Sequence, residues 1–161
     1  PRDPAGLAAD VREMRALMAR ERPPRGFWDL KLGPGGLVDV EFAAQALQLA
    51  HGPRGGPLRA DTGEALLALK QAGAAPEIID ALHESWRLHS GLAQVLKIAL
   101  PDDADPDAEP ERLQVMLARA GGSSDFVALK ASLEQVRRDA HAAFERVLDL
   151  LATETDGAAV Q

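Results

Sequence analysis

The sequence predicts an all-α fold, a six-helix, bundle-like domain. Three observations carry this. Ala and Leu abound while only 4% of the 161 residues are aromatic and Tyr is absent, so strand formers are scarce. Apolar residues recur at helical spacing through most of the chain. Clusters of Pro and Gly interrupt that periodicity at intervals that fit separate helices.

The first helix is expected over 4–21, where Leu7, Val11, Met14 and Met18 recur on one side and Arg and Glu lie opposite. Pro23-Pro24 stops it, and a Gly/Pro-rich loop follows over 25–36. The second helix is expected over 37–50 and is apolar almost all round, which places it in the middle of a bundle. Its polar ridge is Glu41, Gln45 and Gln48, at i, i+4 and i+7. That ridge either lines a wet cleft or faces solvent. Gly52-Pro53 closes the helix. Asp61 then fits an N-cap, with Glu64 three residues on as a capping box. The third helix runs to Gln71 and Gly73 ends it.

Pro76 suits the first turn of a fourth helix reaching about Leu100. Its stripe is Ile79, Leu82, Trp86, Ala93 and Leu96, with Leu88, Leu92 and Val95 beside it. The stretch 101–110 is a loop. A short fifth helix over 111–120 ends at Gly121-Gly122, and Ser124 or Asp125 caps the sixth and longest. Phe126, Leu129, Leu133, Val136, Ala140, Phe144, Val147 and Leu151 give that helix a nearly unbroken core face. The core is therefore expected from the faces of the 37–50, 76–100 and 125–151 helices. The small, polar stretch 153–161 reads as a disordered tail. There is no internal repeat.

Composition narrows the function classes. Without cysteine there is no disulfide framework and no thiolate metal site, which suits a reducing, cytoplasmic setting. No stretch approaches the ~18 consecutive apolar residues of a membrane span. The chain opens on Pro1 without a signal peptide and reads as a piece of a longer protein. A net charge of −7 argues against nucleic acid as a partner. That charge is uneven. Residues 12–31 hold six basic groups (Arg12, Arg15, Arg20, Arg22, Arg25, Lys31) against Glu13, Glu21 and Asp29. A local cationic zone on an acidic chain fits either a localised anionic ligand or ordinary solvated charge.

The stretch most informative about function runs from Asp29 to Phe42. Gly33, Gly35 and Gly36 precede a helix start, where backbone amides can approach an anion and the helix dipole adds positive potential. Lys31, at the start of the loop, adds a full charge. No Lys-Ser/Thr follows the glycines, so this is not a P-loop, and no strand leads into it, so it is not a dinucleotide fingerprint. A purely structural Gly-rich turn before a buried helix is the alternative. Asp39 and Glu41, two apart on a helix, point to nearly opposite sides and cannot share a metal; Asp39 is placed to complement the helix dipole.

Other constellations fail. The four histidines do not combine, since His83 and His89 are six apart and His51 and His141 lie on other elements. Asp103, Asp105 and Asp107 resemble the start of a calcium loop, but Ala108 and Gln114 occupy the positions that need Gly and Glu. The acids of 101–110 read as a solvated loop, and Trp86 reads as core. No Ser-His-Asp or Cys-His arrangement appears.

The pattern Asp29-Leu-Lys31-x-Gly33-x-Gly35-Gly36-Leu-Val-Asp39-Val-Glu41-Phe42-x-x-Gln45 closely resembles the signature of bacterial glutamine synthetase adenylyltransferases. It lies in the helical domain that follows each nucleotidyltransferase domain of that family. The flanks agree. Met14-Arg15 resembles the family's connecting helix, and 58–69 resembles its threonine-capped segment. Leu32 and Pro34 fill variable positions, and Asp61-Thr62 stands where Asn-Thr is frequent.

The resemblance implies a connecting helix over 1–24, a bundle over 25–152 and a missing nucleotidyltransferase domain. It implies an intact enzyme that adenylylates a glutamine synthetase tyrosine from ATP with Mg2+ and removes the group by phosphorolysis, with glutamine synthetase and the PII signalling protein as partners. Lys31, Gly33, Gly35, Gly36, Asp39, Glu41 and Gln45 would then face the nucleotide. The catalytic acids and metal would belong to the missing domain, so this chain alone would be inactive and hold no cofactor. The adenylylating, C-terminal half is expected. Alternatives are the deadenylylating half, the corresponding domain of PII uridylyltransferase, and a docking module that never touches nucleotide.

Overall fold

The structure, a computed structural model, describes residues 3–154. Among these there are six α-helices, two short 3-10 turns and no strand. The helices are α1 (Pro4–Glu21), α2 (Leu37–His51), α3 (Thr62–Gln71), α4 (Pro76–Ala99), α5 (Glu111–Ala120) and α6 (Phe126–Thr153). The 3-10 turns, Gly52–Arg54 and Pro106–Ala108, lie in the loops expected at those places.

Local chemistry sets the ends. Asp3, Asp61 and Asp125 cap α1, α3 and α6, each accepting an N–H of the first turn, from Gly6, Glu64 and Ala128. The cap of α3 is thus the Asp61 carboxylate, and Thr62 is the first helical residue. Pro76 opens α4. The expected tail falls outside the described residues except for Thr153, which closes α6, and Glu154 beside it.

α6 is 28 residues long, about 42 Å at 1.5 Å per residue, and packs against α1, α2, α4 and α5. Antiparallel to it runs α4. The buried apolar residues fall into two clusters along this pair. The first gathers Leu7 and Ala8 of α1, the inner face of α2, Leu66 and Leu69 of α3, Ile79 and Leu82 of α4, and Phe144, Val147 and Leu148 of α6. The second gathers Leu30, Leu88 and Leu92, Leu117, Leu129 and Leu133. The expected core helices are therefore the real ones, but they serve two cores, and α1 and α3 also contribute. Only the start of the α1 stripe is buried; Met14 stands 52% exposed.

Candidate functional site

Between the two cores lies a polar layer, and residues 27–39 are fastened to it. Gly35 is its centre. Its N–H donates to Asp39 Oδ2 at 2.7 Å, and its carbonyl accepts from Ser85 Oγ of α4, also at 2.7 Å. Its φ of +72° is open to glycine at little cost, and a Cβ there would lie 2.0 Å from the Arg137 carbonyl oxygen. A Cβ on Gly36 would lie 2.9 Å from the Leu30 and Lys31 carbonyls. These two glycines let the loop press against α6 and fold back on itself.

Asp39, 1% exposed, ties the loop to two further helices. Arg15 Nε of α1 donates to Asp39 Oδ1 at 2.5 Å, and Arg15 Nη2 donates to the Leu32 carbonyl at 2.8 Å. His141 Nδ1 of α6 lies 3.3 Å from Asp39 Oδ2. On the other side, Arg137 Nη2 donates to the Phe27 carbonyl at 2.7 Å and Arg137 Nε donates to His89 Nε2 at 3.2 Å. His89 Nε2 is therefore an acceptor, and Nδ1 carries the proton toward the Ser85 carbonyl 2.9 Å away. Burial, with the Arg137 charge beside it, pushes the His89 pKa down to about 4 against the pull of that carbonyl, so the ring is neutral near pH 7. Burial likewise lowers Arg137, opposed by Asp29 and Glu134.

Most of the loop amides find acceptors inside the chain. Asp29 accepts from the N–H groups of Arg25, Lys31 and Leu32. Burial alone would raise its carboxyl, but those three bonds and the Arg25 charge outweigh it and hold Asp29 below its ordinary value. The Gly36, Leu37 and Val38 amides donate to the carbonyls of Gly33, Leu30 and Lys31. Of the amides expected to approach an anion, those of Gly35 and Gly36 and of the first two helical residues thus already have acceptors.

What remains available is side chains. Lys31 and Gln45 are exposed and Glu41 is half-buried. Among the described residues no ion pair involves Lys31 or Glu41. Lys31 lines a groove against the C-terminal turns of α4. Gln45 lines a different groove, between α1 and α2. Gln48 leaves the ridge altogether: it is buried, and its Oε1 accepts the Arg59 N–H. The cationic zone also divides. Arg15 is structural and Arg12 pairs with Asp149, whereas Arg25 and Lys31 share the α4 groove.

Neither Asp39, whose oxygens already face Arg15, Gly35 and His141, nor any other group of three His, Cys, Asp or Glu among the described residues fits a metal ion. The acidic loop is not simply solvated. Asp107 accepts from Trp28 Nε1 at 2.9 Å and Lys130 Nζ at 2.6 Å, and Trp28 stacks on Phe126. Sequence reasoning missed Ser85 and Arg137. Ser85 and Arg137 lie about 50 and 100 residues beyond the loop they hold, and no local pattern marks them.

The family profile described as GlnD PII-uridylyltransferase matches residues 10–153. Among curated relatives, the bifunctional glutamine synthetase adenylyltransferase/adenylyl-removing enzyme of Caulobacter vibrioides is 53% identical over 149 residues, covering 92% of this chain and 15% of the relative. Proteins of the same description from Xanthobacter autotrophicus and Brucella suis are each 40% identical, covering 94% and 92% of this chain and 16% and 15% of theirs. The chain spans about 15% of the length of the curated relatives it matches.

Proposed function

The chain belongs to the helical-domain family described as GlnD PII-uridylyltransferase, alongside the bifunctional glutamine synthetase adenylyltransferases it matches, and from that premise we propose that it is the helical domain completing one catalytic half of such a bifunctional enzyme. The observation that carries this is the 53% identity to a relative of that description across 92% of the chain. In this reading the half is the adenylylating, C-terminal one. The parent enzyme is cytoplasmic, uses ATP with Mg2+, and acts on glutamine synthetase under the influence of PII. The catalytic acids and the metal belong to the rest of the parent polypeptide.

This chain supplies a wall of the nucleotide cleft. Lys31 neutralises phosphate charge, Gly33, Gly35 and Gly36 shape the loop that carries it, and Asp39 anchors that loop. Glu41 and Gln45 turn polar groups toward the adjoining domain. The support is physical: Lys31 is an exposed cation without an ion-pair partner among the described residues, on a loop whose carbonyls accept from side chains of α1, α4 and α6.

Lys31→Ala in the parent enzyme tests it. Adenylylation should fall roughly tenfold or more, the effect of losing a hydrogen bond to a charged group, with the melting temperature unchanged. Normal activity would make the segment structural. The docking reading keeps one observation in its favour, the groove between α1 and α2 with Met14 52% and Leu49 58% exposed. In that case Leu49→Asp, and not Lys31→Ala, would weaken capture of glutamine synthetase or PII.

A further inference from the structure

If phosphate is met at this surface, the Gly35, Gly36, Leu37 and Val38 amides at the start of α2 do not meet it, because they already have acceptors within the chain. Cationic side chains must do it. Lys31 lines a groove of about 280 Å³ with Arg25, Trp28, Leu96, Lys97 and Asp102. Lys97 sits in the last turn of α4, 66 residues beyond Lys31, and both ammonium groups are exposed. Neither makes an ion pair among the described residues.

The neighbouring acids do not compensate them equally. Asp29 lies close enough to Arg25 and Arg137 to feel both charges, and it already accepts from three backbone amides. Its charge is therefore balanced locally. Asp102 is the remaining acid that lines this groove. Two like charges beside one apolar wall repel each other until an anion joins them.

We propose that Lys31 and Lys97 together form a phosphoanion subsite in this groove, with Trp28 and Leu96 as its apolar wall. The inference rests on the cleft reading above and deepens it by naming Lys97 as a second binding residue. The shared ligand chemistry is a polyphosphate, carried by a nucleotide or free as inorganic polyphosphate.

The test is titration of the 161-residue chain with sodium tripolyphosphate and, separately, with ATP, followed by backbone amide NMR shifts. Saturable shifts are expected in 25–31 and 93–102. Lys31→Ala and Lys97→Ala should each weaken both ligands about threefold or more, Asp102→Asn should tighten them, and the control Lys70→Ala, at an ion pair with Asp80 on α3 and α4, should change nothing. Tighter binding of ATP than of tripolyphosphate supports the subsite and assigns the wall to the nucleoside; equal binding supports it as a site for phosphate alone. Absence of saturable shifts at millimolar ligand, wild-type affinity in Lys97→Ala, or shifts confined to 33–41 would overturn it. The two ideas fail separately: loss of parent activity in Lys31→Ala with unaltered binding in Lys97→Ala sinks the subsite alone. Normal parent activity beside the expected binding losses sinks the cleft reading.

Discussion

At Asp39 a carboxylate that is 1% exposed meets a guanidinium, a backbone amide and an imidazole carried by α1, the loop and α6. Removing one partner of a buried charge pair leaves the other uncompensated, so Asp39→Ala should lower unfolding free energy by about 3–5 kcal/mol in urea titrations. A cost below ~1 kcal/mol would mean that Arg15 finds water instead. His89 gives the layer a pH dependence. Its folded pKa of about 4 lies below the ordinary 6.5, so the unfolded chain binds the proton first as pH falls. Stability is full above pH 6.5 and declines toward pH 4, by up to roughly 3 kcal/mol. Urea midpoints across that window should slope accordingly, and His89→Gln should flatten the slope. Asp29 and Asp107, both held below the ordinary carboxyl value, stabilise the fold above that value and lose this contribution only as the solution becomes more acid still. Little of this was legible in the sequence. The glycines, Lys31 and Asp39 stand out as a pattern, but spacing reports only local neighbours. Arg15, Ser85, Arg137 and Lys97 are ordinary helical polar residues until the fold brings them to the loop.

At the scale of elements the sequence was a good guide. All six helices lie within a few residues of the expected ranges because Pro pairs, Gly pairs and Asp caps set their ends by local sterics and hydrogen bonding. The α1 stripe was the weak point. Helical period shows which face is apolar, not how much of it another element covers, and Met14 and Leu17 remain exposed. The start of α2 departs from the usual helix. Helix N-termini leave their first amides without intrahelical partners, yet here Gly36, Leu37 and Val38 donate to loop carbonyls. Hydrogen exchange at Leu37 and Val38 should therefore be slow, close to that of mid-helix amides such as Ala44, and much slower than at Thr62 and Gly63 in the first turn of α3. Rapid exchange at Leu37 would show that the loop opens locally.

At the scale of the whole molecule, two apolar cores share the same two long helices across one polar layer. Phe144, 2% exposed in the first core, should cost about 3–5 kcal/mol as Phe144→Ala. Because α4 and α6 are continuous through both cores, the loss should be felt equally in each. Trp86 packs on the first core and Trp28 on the second, so Trp28→Phe and Trp86→Phe leave one fluorophore apiece. Their denaturation midpoints in the Phe144→Ala background should fall together relative to single-tryptophan parents. A second core that melts later would show two cooperative units. The same continuity bears on what happens if the backbone is cut. Cleavage between Ala104 and Asp105 would give one piece ending after α4 and another holding α5 and α6, each with only part of both cores. Neither piece closes a core alone, so each should be unstructured by itself, and the two mixed should refold into a single nicked particle.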